Sequence, residues 1–109
     1  MPVVVVVYRL TNFDEWLELF KANPPPKVGH WRVVRGMHDR NRVHVVGEVA
    51  ASELKAVQDF FGSEHMRDVF KRVNAISTTP PKILWLEELT PAPHTDPKPR
   101  RGLLRLFQR

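Results

Sequence analysis

Five consecutive valines, Val3 to Val7, followed by Tyr8, put apolar side chains on both faces of an extended chain. That pattern predicts a strand covered on both sides, in the interior of a sheet. The period then changes. Phe13, Trp16, Leu17 and Phe20 recur at helical spacing and form one apolar stripe. Asn12 stands where an N-cap belongs, with Glu15 three residues on as its capping-box partner. Pro24, Pro25 and Pro26 end the helix and form a stiff crossover. Two strands follow, His30 to Arg35 and Arg42 to Val49, joined through His38-Asp39-Arg40-Asn41, whose Asp and Asn suit turn conformations. Ser52 is positioned to cap a second helix with the stripe Leu54, Val57, Phe60 and Phe61. Gly62-Ser63 interrupts that helix, and a new stripe of Met66, Val69, Phe70 and Val73 resumes after the break. Pro80 and Pro81 precede a last strand, Ile83 to Leu89.

The order β-α-β-β-α-β predicts an α+β, ferredoxin-like fold with an antiparallel sheet, in which the first and third strands are central. Those two are the most valine-rich, which agrees. Two helices cover one sheet face. The other face needs a cover that the remaining chain does not supply, and a second copy is the natural candidate, so we expect a homodimer.

The hairpin register decides which side chains act together. With Asp39-Arg40-Asn41 as a three-residue loop, His38 faces Arg42. His30, Arg32, His44 and Glu48 then share one face with Val34 and Val46, and Trp31, Val33, Val43, Val45 and Val49 share the other. A one-residue slip would regroup them. The polar face has three readings: the lining of a ligand cavity, charge at a dimer interface, or an ordinary solvated face.

Composition narrows the chemistry. The chain of 109 residues suits one folded domain, assigned to residues 1–89. It contains no cysteine, which excludes disulfides, thiolate catalysis and cysteine-based zinc sites and fits a cytoplasmic location. The valine run is too short to span a membrane and lacks the flanks of a signal peptide. The formal net charge is +5, but Lys98, Arg100, Arg101, Arg105 and Arg109 account for all of it, so the folded part is nearly neutral and nucleic-acid binding is not expected. His30, His38 and His44 match no recognised ligand spacing, and no metal is expected. Nucleophilic-triad, P-loop and dinucleotide motifs are absent.

Residues 2–89 resemble the dimeric α/β barrel superfamily in element order, in VHVVGEV (43–49), in the helix break of FFGSEHMRDVF (60–70) and in PPKILWLEEL (80–89). That group includes antibiotic-biosynthesis-type monooxygenases, polyketide cyclases of the olivetolic acid cyclase type and muconolactone-isomerase-like enzymes. The resemblance implies a dimer and a cavity between sheet and helices that takes a small, flat, hydrophobic molecule without a cofactor. It leaves open a monooxygenase-like activity, a cyclase or isomerase activity, or a non-catalytic dimeric module. For the cyclases it implies a catalytic histidine after the helix break, in a His-Pro-x-His context. His65 stands at the similar place, while Gly62 and Ser63 occupy the positions of the first His and the Pro. For the monooxygenases it implies aromatic stacking surfaces, for which Tyr8, Trp31 and Trp85 are candidates beside their ordinary role in packing. Arg32 and His44 are candidate ligand contacts on the polar hairpin face. A closed apolar pocket of a few hundred cubic ångströms holding a titratable group would mark an enzyme, and a filled interior a module.

Residues 90–109 read as a separate segment: a linker with Pro91, Pro93, Pro97 and Pro99, then a basic amphipathic end. On a helical wheel Leu103, Leu104, Leu106 and Phe107 oppose Arg101, Arg105 and Arg109. Leu103, Leu104, Phe107, Arg101 and Arg105 are candidate contacts for a protein partner or an anionic membrane. The alternative is that the segment folds back over its own domain.

Overall fold

The structure is a computed structural model and describes residues 1–89. The linker and basic segment, with Leu103, Leu104, Phe107, Arg101 and Arg105, lie outside the described residues.

The elements are β1 (Pro2–Leu10), α1 (Phe13–Ala22), β2 (His30–Arg35), β3 (Arg42–Glu48), a 3-10 turn (Ala51–Glu53), α2 (Leu54–Phe61), α3 (Glu64–Asn74) and β4 (Ser77–Glu87). The sheet order is β2-β3-β1-β4, fully antiparallel, so the two valine-rich strands are central. Asn12 caps α1, its Oδ1 accepting from the Glu15 N–H at 3.0 Å. The break between α2 and α3 is at Gly62-Ser63.

All the helices pack on one sheet face. Val4, Val6, Tyr8 and Leu10 of β1 and Val43 and Val45 of β3 meet Trp16, Val57, Met66, Val69 and Val73, all buried. The other face carries Val3, Val5, Val7 and Arg9 of β1, beside Arg42, His44, Val46 and Glu48 of β3.

Three expectations are corrected. Ser52 does not cap α2: it lies within the 3-10 turn, whose cap is Ala50, and Glu53 precedes α2 with no side-chain cap. The last strand begins at Ser77, six residues before Ile83, and runs through Pro80 and Pro81. It can do so because β4 is an edge strand and because its pairing with β1 shifts between Lys82 and Thr79, a bulge at the two prolines, which have no N–H to give. The β2–β3 register pairs Arg35 with Val43, two residues away from the three-residue-loop arrangement. Asp39 folds a turn inside a wider loop: its Oδ1 accepts from the Asn41 N–H at 3.1 Å, its carbonyl from the Arg42 N–H at 3.2 Å, and the Gly36 N–H closes the loop on the Arg42 carbonyl at 2.8 Å. A shift of two preserves side-chain parity, so the predicted division of the hairpin into two faces stands.

Candidate functional site

On the helix side, β1 and β3 contribute Val6, Tyr8 and Val45 to a slot closed by Trp16, Leu19 and Phe20 of α1, Phe60 and Phe61 of α2, and Met66, Val69 and Val73 of α3. Asn23 and Pro25, at the start of the crossover, form its mouth. The side chains are there because the apolar stripes of three helices converge on the one buried face of the central strands. They nearly fill the space: the cavity is about 30 Å³, room for a water or two.

Tyr8 is the one titratable lining residue. Burial raises its pKa far above the usual value, against a smaller opposing effect of the Trp16 indole N–H. Its hydroxyl therefore stays protonated and is a donor to anything in the slot. The ring lies 5.2 Å from that of Trp16, which stacks on Phe20 at 5.1 Å with planes 15° apart.

His65 stands at the mouth, not in the slot. Asn23 Nδ2 donates to the Leu19 carbonyl at 2.9 Å, which orients the amide so that Oδ1 faces His65 Nε2 at 2.9 Å. Facing an acceptor oxygen, Nε2 is the nitrogen that donates, and Nδ1 is turned away from Asn23. Asn23 thus stands between the His65 ring and the slot that it lines.

The remaining candidates fall elsewhere. Trp31 packs across Gly47, its pairing partner, where a Cβ would run into the ring. Its Nε1–H donates to the Val28 carbonyl at 2.8 Å. Trp85 is 41% exposed and sits edge-on to Phe61 at 6.1 Å. Phe61 also touches Trp31 at 6.0 Å, so both tryptophans lie behind it and neither lines the slot. Arg32 and His44 are on the opposite sheet face. The structure thus divides Tyr8, Trp31 and Trp85 from Arg32 and His44, and within one chain no ligand meets both groups. Arg32 pairs with Glu48 at 3.6 Å. His44 Nε2 accepts from Arg42 Nε at 3.4 Å, and its pKa is lowered by burial and then by the charges of Arg42 and Arg9.

Trp16, Phe20, Asn23, Phe60 and Met66 line the slot without having stood out in the sequence as site residues. The stripes Trp16–Phe20 and Phe60–Met66 read as core, and they are core. Asn23, a polar residue between a helix end and a proline run, was the one available signal.

No protein-family model and no curated protein matches the sequence. Solved structures do match the fold. One is an antibiotic biosynthesis monooxygenase, 15% identical with TM-score 0.63, over 83% of this chain and 100% of that one. A conserved protein from Methanosarcina mazei Go1 is 12% identical with TM-score 0.64, over 81% of this chain and 92% of that one. A protein from Mycobacterium tuberculosis is 15% identical with TM-score 0.58, over 84% and 99%. The chain therefore shares the ferredoxin-like α+β fold of these structures. Among the described residues no helix is long and apolar enough to cross a membrane.

Proposed function

We propose that the chain binds a small, flat, hydrophobic molecule in the helix-side slot and converts it without a cofactor, in the manner of a monooxygenase. The observation that carries this is the slot's chemistry. Aromatic rings wall it, and its polar groups are few and placed: the Tyr8 hydroxyl inside and the Asn23 amide at the mouth. A planar molecule bearing one oxygen would stack against Trp16 and accept from Tyr8. Because the cavity is only about 30 Å³, entry requires Phe60 or Phe61 to swing outward from the short α2. The same fold in a structure named as a monooxygenase supports the reaction class. A cyclase or isomerase would instead use His65 Nδ1 as the base toward a molecule at the mouth, with Asn23 orienting the ring through Nε2.

The filled slot favours a second reading, a non-catalytic dimeric module. In either case we propose that a second copy covers the open sheet face. Thermal shift and oxygen-uptake measurements with a set of polycyclic phenols separate the readings. A binder shows a raised Tm with at least one phenol, a gain in affinity in Phe61→Ala, and a loss in Tyr8→Phe. An oxygenase consumes dioxygen in proportion to phenol. If neither the wild-type protein nor Phe61→Ala binds any of them, the slot is packing and the module reading holds.

A further inference from the structure

The open sheet face, opposite the slot, carries a larger depression of about 650 Å³ at the end of β1. Its floor and wall are apolar: Val7, Leu84, Pro80 and Pro81. Three cations line it as well, Arg9, Arg42 and Lys82. The β4 bulge makes the concavity, since the chain leaves the regular ladder between Lys82 and Thr79. The two prolines give it a rigid rim with no N–H donors.

Nothing described neutralises these charges. The ion pairs among the described residues are Lys21–Glu18, Arg32–Glu48 and Lys55–Asp59, none of which involves the three. Glu48 is the one carboxylate at an open-face strand position, and Arg32 holds it. The Asp39 carboxylate is engaged with the Asn41 N–H. His44 responds to the same field: after burial, the charges of Arg42 and Arg9 lower its pKa. A neutral His44 accepts from Arg42 and adds no charge of its own.

Like charges gathered in a concavity of ligand size, with an apolar half, define their own ligand. We propose that this depression binds a small organic carboxylate, its head on Arg9, Arg42 and Lys82 and its apolar body along Val7, Leu84 and the Pro80–Pro81 rim. The basic segment of residues 98–109 has the wrong sign to serve as the occupant. A second copy seated on the valine stripe brings no spare carboxylate from a strand position on that face either, the nearest one, Glu88, lying beyond the end of β4 beside Met1. The anion would then sit at the edge of that contact and neutralise what the partner cannot.

The site is independent of the slot, and the test keeps the two apart. The full chain is titrated calorimetrically at low ionic strength with 2-naphthoate, and in parallel with 2-naphthalenemethanol and inorganic phosphate. We expect saturable naphthoate binding at one site per chain, at least about tenfold tighter than either control. Arg9→Gln and Lys82→Gln, both at exposed positions, should each weaken naphthoate about tenfold with the fold kept, read as an unchanged far-ultraviolet spectrum. Tyr8→Phe should leave the affinity as it was. Alcohol binding as tight as the acid's and unaffected by Tyr8→Phe would overturn the proposal, because it would lie outside the slot and the cations would then be idle. Phosphate matching naphthoate would overturn the apolar half of the site, and wild-type affinity in both Gln variants would overturn the placement.

Discussion

The Trp31 ring is held from several directions at once: Gly47 lies under it, Phe61 meets it from α2, and the Val28 carbonyl accepts its indole N–H. Gly29, at φ 86°, turns the chain into β2 so that Val28 can reach. A methyl on Gly47 has no space, so Gly47→Ala should cost about 1–3 kcal/mol, read as a lower Tm or denaturation midpoint. No change in either would mean the ring slides freely. That fixity is also why Trp31 does not serve the slot, although its residue type suggested a stacking surface. The tryptophan's chemistry is legible in the sequence; its burial behind Phe61 depends on packing between elements far apart in the chain. His44 gives a second residue-scale prediction. Its folded pKa lies below the unfolded 6.5, so between those two values the unfolded chain binds more protons. Stability should fall as pH drops below about 6.5 and level off below the folded pKa. His44→Gln should flatten that part of a stability-against-pH curve, and an unaltered curve would show that neither burial nor the Arg42 and Arg9 charges lower the pKa of the ring.

At the scale of elements, Ser63 ties the two halves of the broken helix together. Its Oγ accepts from the Met66 N–H at 3.2 Å, capping α3, and donates to the Phe60 carbonyl at 2.8 Å, closing α2. Ser63→Ala removes both bonds and should cost about 1 kcal/mol in chemical denaturation. Ser63→Asp, which keeps an acceptor at the cap, should recover most of it. Element order, the α1 cap, the helix break and the central placement of β1 and β3 were all legible in the sequence, because each is written in a local period or a capping pair. The start of β4 was not. Prolines read as the end of regular structure, and only the knowledge that β4 is an edge strand with a bulge makes them tolerable in it. The hairpin register was legible only modulo two. The alternation of the strands sets which face each side chain takes, while the loop length depends on how Asp39 folds the turn.

At the scale of the whole molecule the sheet is finished on one side only. On the helix side Val4, Val6 and Val43 have essentially no exposed surface, whereas on the open side Val34, Leu84 and Leu86 remain 44%, 36% and 49% exposed. Val5 is at the centre of that open stripe, paired with Val46 on one flank and Leu84 on the other. A contiguous apolar stripe with charged residues at its ends is the make-up of a contact surface, apolar at the core and polar at the rim. The proposed partner is a second copy, because self-association of this face buries its own stripe against itself. Sedimentation of the full chain at micromolar concentration should give the mass of a dimer. Val5→Lys should give the mass of a monomer, since a charge would be buried at the centre of the contact without a partner. Its fold should survive, because the lysine can leave the uncovered face of an isolated sheet for water. A far-ultraviolet spectrum like that of the wild type would establish this. A wild-type monomer at that concentration, or a Val5→Lys dimer, would show that the stripe is not the contact. Because the rim is net positive, the dimer should also tighten when salt is raised from low ionic strength, as screening relieves repulsion among Arg9, Arg42 and Lys82. A contact governed by opposite charges would weaken under the same change, so the sign of the salt effect separates an apolar seam from an ionic one.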